Sequence, residues 1–155
     1  MPAAGARRNP PASAEVEAVI AGYPGEAAAR IRELRKLILD TAASNADIGP
    51  LTETLKWGEP AYLTEKSRSG STIRIAWKAA APDQCAMYLN CQTTLVDTYR
   101  TLFPELTFEG NRAVLFDLRC SLPEASVRRC TELALTYHLA KKRARAGRSR
   151  LGTIR

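Results

Sequence analysis

The stretch Thr72-Ile73-Arg74-Ile75-Ala76-Trp77-Lys78 is followed, after Ala79 to Asp83, by Gln84-Cys85-Ala86-Met87-Tyr88-Leu89-Asn90. In the first run Ile73, Ile75 and Trp77 fall on one side, and Thr72, Arg74, Ala76 and Lys78 on the other. In the second, Cys85, Met87 and Leu89 alternate with Ala86, Tyr88 and Asn90. A period of two belongs to a pleated strand with one face in a core. Pro82 interrupts the link between the runs. The pair is therefore predicted as an antiparallel hairpin over 72–78 and 84–90, with Ile73, Ile75 and Trp77 buried and Arg74 in solvent.

Working outward, residues 52–57, Leu106 to Phe108 and Ala113 to Leu118 read as further strands, the last two joined by a turn at Glu109-Gly110-Asn111. Thr93 or Thr94 is placed to cap a helix that ends near Phe103, before Pro104. Upstream, residues 13–22 read as a helix with Ser13 as N-cap and Val16, Val19 and Ile20 on one face. Gly22-Tyr23-Pro24-Gly25 breaks it. Residues 24–44 form the clearest helix: Ile31, Leu34, Ile38 and Ala42 share a face opposite Arg30, Arg32, Glu33, Arg35 and Lys36. A last helix is expected from Pro123 to Arg145, with Val127, Cys130, Ala134 and Tyr137 as its apolar stripe. Ser67 to Ser71 reads as a turn. Hairpins without crossover helices make this an α+β chain: a single domain with an antiparallel sheet of about five strands and the N-terminal and C-terminal helices packed on it.

The chain has 155 residues, 45% hydrophobic and 25% charged, which suits one domain with one core. No apolar run approaches the roughly 18 residues of a membrane span. Residues 1–12 read as a disordered leader, because Pro2, Pro10 and Pro11 oppose a targeting helix. Residues 13–140 are the expected domain and 141–155 a basic C-terminal tail. The net charge is +7. Seven of the 23 basic residues lie in 141–155, which holds no acid, so the first 140 residues balance at 16 basic against 16 acidic. The body offers no basic face. Nucleic acid is expected only as a weak, non-specific partner of residues 141–155, which otherwise read as a solvated extension.

Cys85, Cys91, Cys120 and Cys130 form no C-x-x-C pair, and His138 is the single histidine. Zinc is not expected. Cys85 and Cys91 lie six residues apart on one run, about 20 Å if extended and beyond disulfide reach. Free thiols in a reducing cytoplasm are the expectation.

The segment Trp57-Gly58-Glu59-Pro60-Ala61-Tyr62 gives the strongest local signal. Gly58 permits unusual backbone and Pro60 fixes the next turn. One reading is a structural corner with core aromatics. The other is a small pocket with aromatic walls from Trp57, Tyr62 and Trp77, and polar anchors from Glu59 with Arg74 or Lys78. Asn90-Cys91-Gln92-Thr93-Thr94 sits at a strand-to-helix junction: plain capping, or an anion site, with Cys91 a reactive thiol if that helix start lowers its pKa. His138, beside Lys141 and Lys142, reads as a surface or half-buried residue, and there is no G-x-S-x-G elbow, P-loop or H-E-x-x-H pattern. No catalytic or metal-ligating set is assigned.

The helix around Ile31-x-x-Leu34-Arg35-Lys36-Leu37-Ile38, the segment Leu55 to Tyr62 and the strand ending Trp77-Lys78 together resemble the YdhG-like family of small bacterial domains, over about residues 15–140. The resemblance implies a compact α+β domain compared to the frataxin fold, and an iron-chaperone role has been proposed within the family. It brings no catalytic motif. Iron delivery wants clustered oxygen ligands, whereas Glu15, Glu17, Glu26, Glu33, Asp40 and Asp47 here are interrupted by Arg30, Arg32, Arg35 and Lys36. The leading expectation is a non-enzymatic domain that binds a small molecule or a protein through Trp57, Gly58, Glu59, Pro60, Tyr62, Arg74, Trp77, Lys78, Asn90 and Cys91, without a cofactor. Iron delivery and tail-mediated nucleic-acid binding are the alternatives.

Overall fold

The computed structural model describes residues 9–153, with side chains through Arg148. Two helices open the chain, α1 (Ala14–Ala21) and α2 (Gly25–Ala43). Strands β1 (Thr52–Lys56), β2 (Glu59–Leu63), β3 (Ile73–Trp77) and β4 (Gln84–Tyr88) follow, then α3 (Leu95–Leu102), β5 (Thr107–Glu109) and β6 (Ala113–Asp117). Two helices close it, α4 (Glu124–Leu135) and α5 (Tyr137–Thr153). The fold is α+β, with one six-stranded sheet in the order β1-β2-β3-β4-β6-β5, antiparallel throughout.

The helices cover one face of that sheet. Ser13 caps α1, its hydroxyl accepting from the Val16 N–H at 3.3 Å. Along α2 the expected face is buried: Ile31, Leu34 and Ile38 meet Ile73, Ile75, Cys85 and Met87 from the sheet, and Val127, Cys130 and Ala134 from α4. Burying each large aliphatic side chain contributes ~1.5–3 kcal/mol. Arg30, expected on the wet side of α2, is instead buried: it ties α2 to the far end of β6, donating from Nη1 to the carbonyl of Asp117 and from Nη2 to that of Cys120. The leader expected at 1–12 lies outside the described residues as far as residue 8. Asn9 and Pro10 are joined to α2, through Asp40 at 2.9 Å and Arg35 at 2.7 Å.

Besides Arg30, the structure differs from expectation at β2, at the last helix and at Arg74. A sixth strand, β2, replaces the expected corner at Trp57–Tyr62, because Trp57-Gly58 makes a two-residue hairpin turn with φ of +57° and +74°, as a type I′ turn requires. Pro60 sits inside β2, and the β2–β3 register is only two pairs long, as fits a residue without an N–H. The last helix is broken at Thr136. Ser71 N–H donates to the Ala134 carbonyl and Leu139 N–H to the Ser69 carbonyl, so the loop between β2 and β3 closes over the end of α4. Gly70 makes that approach possible: a Cβ there would lie 2.2 Å from the Leu135 backbone. The basic residues from Lys141 onward then belong to α5; the final two residues of the expected tail lie outside the described ones. Of the two expected caps on α3, Thr93 is the one used: its hydroxyl accepts from Leu95 N–H, whereas Thr94 makes no side-chain cap.

Register places Ile73, Ile75 and Trp77 on the helix side, as their alternation predicts, with Trp77 half-buried. Arg74 is on the opposite side but is not free in solvent. It is half-buried and paired with Glu59. Beside it the open face carries a small apolar cluster, Ala76, Ala86, Tyr88 and Ala113, edged by Leu115.

Candidate functional site

At one end of the sheet the β1–β2 turn, the α1–α2 turn and the end of β3 meet around a hollow of about 510 Å³. Trp57, Tyr23 and Trp77 wall it, Gly58 and Val19 complete the rim, and Glu59, Arg74 and Lys78 supply charge. The ring of Tyr23 stands 5.9 Å from that of Trp77 at 55°, and the Trp77 indole N–H donates to the Pro82 carbonyl at 2.9 Å. Both walls are therefore held. Trp57 is 88% exposed and sits in the left-handed region, which costs a bulky residue about 1–2 kcal/mol. A large apolar ring is thus presented to solvent on a strained backbone.

Glu59 is the inverse case. It is only 8% exposed. Its Oε1 accepts from Arg74 Nη1, whereas its Oε2 is buried and has no hydrogen-bond partner. An unpaired buried carboxylate oxygen costs more than a polar atom in water, so the Glu59–Arg74 pair is only half satisfied, as is Arg30 through its Nε. Arg74 continues to the face of Tyr88, its guanidinium carbon 5.0 Å from the ring centre, and Lys78 Nζ lies 4.7 Å from the same ring. No carboxylate lies within ion-pair distance of Lys78 among the described residues. Tyr23 has its phenol pKa raised, chiefly by burial, with the charge of Glu59 adding to the effect.

A second hollow of about 350 Å³ lies on the open face, sharing Trp57 and Arg74 with the first. Asn90 and Cys91 line it, together with Lys56, Thr72, Tyr88, Leu89 and Arg112. Asn90 organises the turn before α3, its Oδ1 accepting from Gln92 N–H and its carbonyl from Thr93. Cys91 is an exposed free thiol whose carbonyl accepts from Asn111.

Eight of the ten predicted site residues thus line the two hollows. Pro60 and Tyr62 do not. The alternation of β2 sends Tyr62 to the helix side, where it is fully buried and its hydroxyl donates to Glu53 Oε2 at 2.8 Å. Burial, and then that carboxylate, raise its pKa. Pro60 is buried within the sheet. Tyr23, Val19, Lys56, Tyr88 and Arg112 were not anticipated. The signal for Tyr23 was its place as the aromatic within the Gly22–Gly25 break. His138 is exposed and packs edge-on against Tyr137, 5.5 Å between ring centres. All four cysteines are free, Cys85 and Cys130 buried and Cys91 and Cys120 exposed. Among the described residues no three His, Cys, Asp or Glu side chains gather as a metal site, and no helix is long and apolar enough to cross a membrane.

No family model matches the chain, and no curated protein or solved structure matches it.

Proposed function

We propose that this chain is a non-enzymatic binding domain of the YdhG-like kind, acting in the cytoplasm, and that the Trp57–Trp77 hollow is where it takes a small ligand. One observation carries the reading: three aromatic side chains, Tyr23, Trp57 and Trp77, converge with the charged groups of Glu59, Arg74 and Lys78 on one hollow. The groups around it bind and orient. The carboxylate is tied to an arginine, and the free ammonium lies over a ring. Four free thiols support the cytoplasmic setting.

The test uses the two indole N–H signals of Trp57 and Trp77 in an NMR spectrum of the full chain. A panel of amino acids, organic acids, sugar phosphates and nucleotides at millimolar concentration is expected to contain members that shift one or both signals saturably. A panel in which no member shifts either signal overturns the reading.

A second reading, salt-sensitive contact with nucleic-acid phosphates through α5, rests on a separate observation. Lys141, Lys142, Arg143, Arg145 and Arg148 are all exposed on one helix, and Asp47, 3.5 Å from Arg143, is the one carboxylate paired with them among the described residues. Five neutralised phosphates give a log–log salt slope of roughly −4 to −5 on duplex DNA. A slope near zero, or no binding at low salt, removes it.

A further inference from the structure

The second hollow, on the open face, is lined by three cations, Lys56, Arg74 and Arg112, and by no carboxylate. Two of the cations have acidic partners outside that lining. Arg74 donates from Nη1 to Glu59, and Arg112 from Nη2 to Glu109 at 3.3 Å. Each uses one nitrogen in this way, and a guanidinium carries five N–H donors, so both keep donors for a ligand. Lys56 forms no ion pair among the described residues. With Glu59 and Glu109 counted, the charge around the hollow is still positive. The register explains the convergence. Tyr88 of β4 pairs with Arg74 on one side and Ala113 on the other, so Arg74 and Arg112, the residue before Ala113, start about 10 Å apart across three strands. Lys56 ends β1, next to the Trp57-Gly58 turn.

Charge and donor count select the ligand. A carboxylate has one charge and two oxygens, and a single arginine satisfies it bidentately. A phosphate monoester has about −1.5 to −2 charges at pH 7 and three terminal oxygens, one for each cation. An uncharged molecule meets none of the three. Trp57, 88% exposed, lines this hollow as well as the aromatic one, so the organic part of the ester leaves along its indole. No histidine or carboxylate lines the hollow to act as a general base, so its role is binding.

We propose that the open-face hollow is a phosphate-monoester site. Lys56, Arg74 and Arg112 hold the phosphoryl oxygens, and Trp57 borders the organic group. This rests on the reading that the Trp57 end of the sheet takes a small ligand, and it names the ligand class.

Cys91 lines the hollow and is an exposed free thiol, so it reports occupancy, and exposed Cys120 lies outside that lining as an internal reference. The full chain is alkylated with iodoacetamide, and modification of both cysteines is followed by peptide mass mapping, while the Trp57 and Trp77 indole signals are recorded in parallel samples. The probes are phenyl phosphate, inorganic phosphate, benzoate and benzyl alcohol, at millimolar concentration and constant ionic strength. Phenyl phosphate is expected to slow alkylation of Cys91 saturably, by at least fivefold, to leave Cys120 unchanged and to shift the Trp57 indole. Inorganic phosphate is expected to protect Cys91 more weakly, benzoate to bind at least tenfold more weakly than phenyl phosphate, and benzyl alcohol to have no effect. Lys56→Glu places a repelling charge on an exposed side chain and is expected to weaken protection by tenfold or more, whereas Lys56→Arg keeps it within about threefold. The ratio of rates with and without the probe is compared, so a change in the intrinsic reactivity of Cys91 cancels. The phosphate site is overturned if neither phosphate protects Cys91, if benzoate protects as well as phenyl phosphate, or if protection survives Lys56→Glu. When other members of the wider panel then still shift Trp57 or Trp77, the ligand class falls and the aromatic hollow stands as a binding site. When none does, both fall.

Discussion

Glu53 and Glu59 stand at opposite ends of the same hairpin and have opposite fates. On the helix-covered side Glu53 is almost saturated: Arg35 donates to both its oxygens, at 2.6 and 3.3 Å, Tyr62 donates to Oε2, and Ser13 N–H reaches Oε1. On the open side Glu59 is more deeply buried and half satisfied. The covered face is filled by volume, with Ile31, Ile38, Ile75, Met87 and Leu135 all without exposure. The open face is lined by small side chains, Ala76, Ala86 and Ala113, and edged by cations. Each side keeps one buried polar atom without a hydrogen-bond partner, Arg30 Nε on α2 and Glu59 Oε2 on β2, so the difference between the two glutamates is local to the hairpin.

The comparison breaks first if the faces respond alike to truncation. Ile75→Ala on the covered face is expected to cost about 2–5 kcal/mol. Leu115→Ala on the open face is expected to cost less than about 1.5 kcal/mol, because that side chain is only partly covered. Equal losses in denaturant unfolding would show that the alanine patch is a second core.

The thiols sharpen the contrast. Burial pushes the Cys85 thiol up to about 11 and the Cys130 thiol up to about 12. A raised thiol pKa keeps the group protonated, so at pH 8 about one Cys85 in a thousand is thiolate. A maleimide-type reagent is expected to modify Cys91 and Cys120 at least a hundredfold faster than Cys85 and Cys130 in the native protein, and all four after unfolding. Prompt modification of Cys85 would mean that the covered face opens.

The two glutamates come next. Glu53→Ala strands Arg35 and Tyr62 together and is expected to cost about 2–3 kcal/mol. Glu59→Gln removes a half-satisfied charge and is expected to change stability by less than about 1 kcal/mol. A larger loss at Glu59 than at Glu53 reverses the argument. The smallest effect is a gain: Trp57→Gly relieves the left-handed strain and is expected to raise stability by up to about 1 kcal/mol, read as an upward shift of the unfolding midpoint. A fall would show that Trp57 packs in a way its exposure denies.

Part of this was legible in the sequence because it follows from local period. The alternation of Ile73, Ile75 and Trp77, and the helical spacing of Ile31, Leu34 and Ile38, report a buried face wherever they occur. β2 was hidden because Gly58 before it and Pro60 within it are breakers, and because tryptophan is seldom the first residue of a type I′ turn. The break at Thr136 has no proline or glycine to announce it. It is set by contacts from residues 69–71, more than sixty positions away. In the site, Trp57, Glu59, Arg74 and Lys78 were legible as unusual types near one turn. Tyr62 was misplaced because an undetected strand has no assignable parity. Tyr23 and Tyr88 join only through the meeting of three elements.

The closure of the β2–β3 loop over Leu135 has a wider consequence. The direction in which α5 leaves the body is set less by the residues of α5 than by Ser69, Gly70 and Ser71. Aim and charge are thus specified in separate parts of the chain and are free to diverge separately. A lengthened loop at Gly70 re-aims an unaltered arm, and a rewritten arm keeps its bearing. Grafting a foreign segment into the turn at Gly110, where a Cβ would meet nothing, leaves that bearing intact, whereas the same graft at Gly70 unseats it.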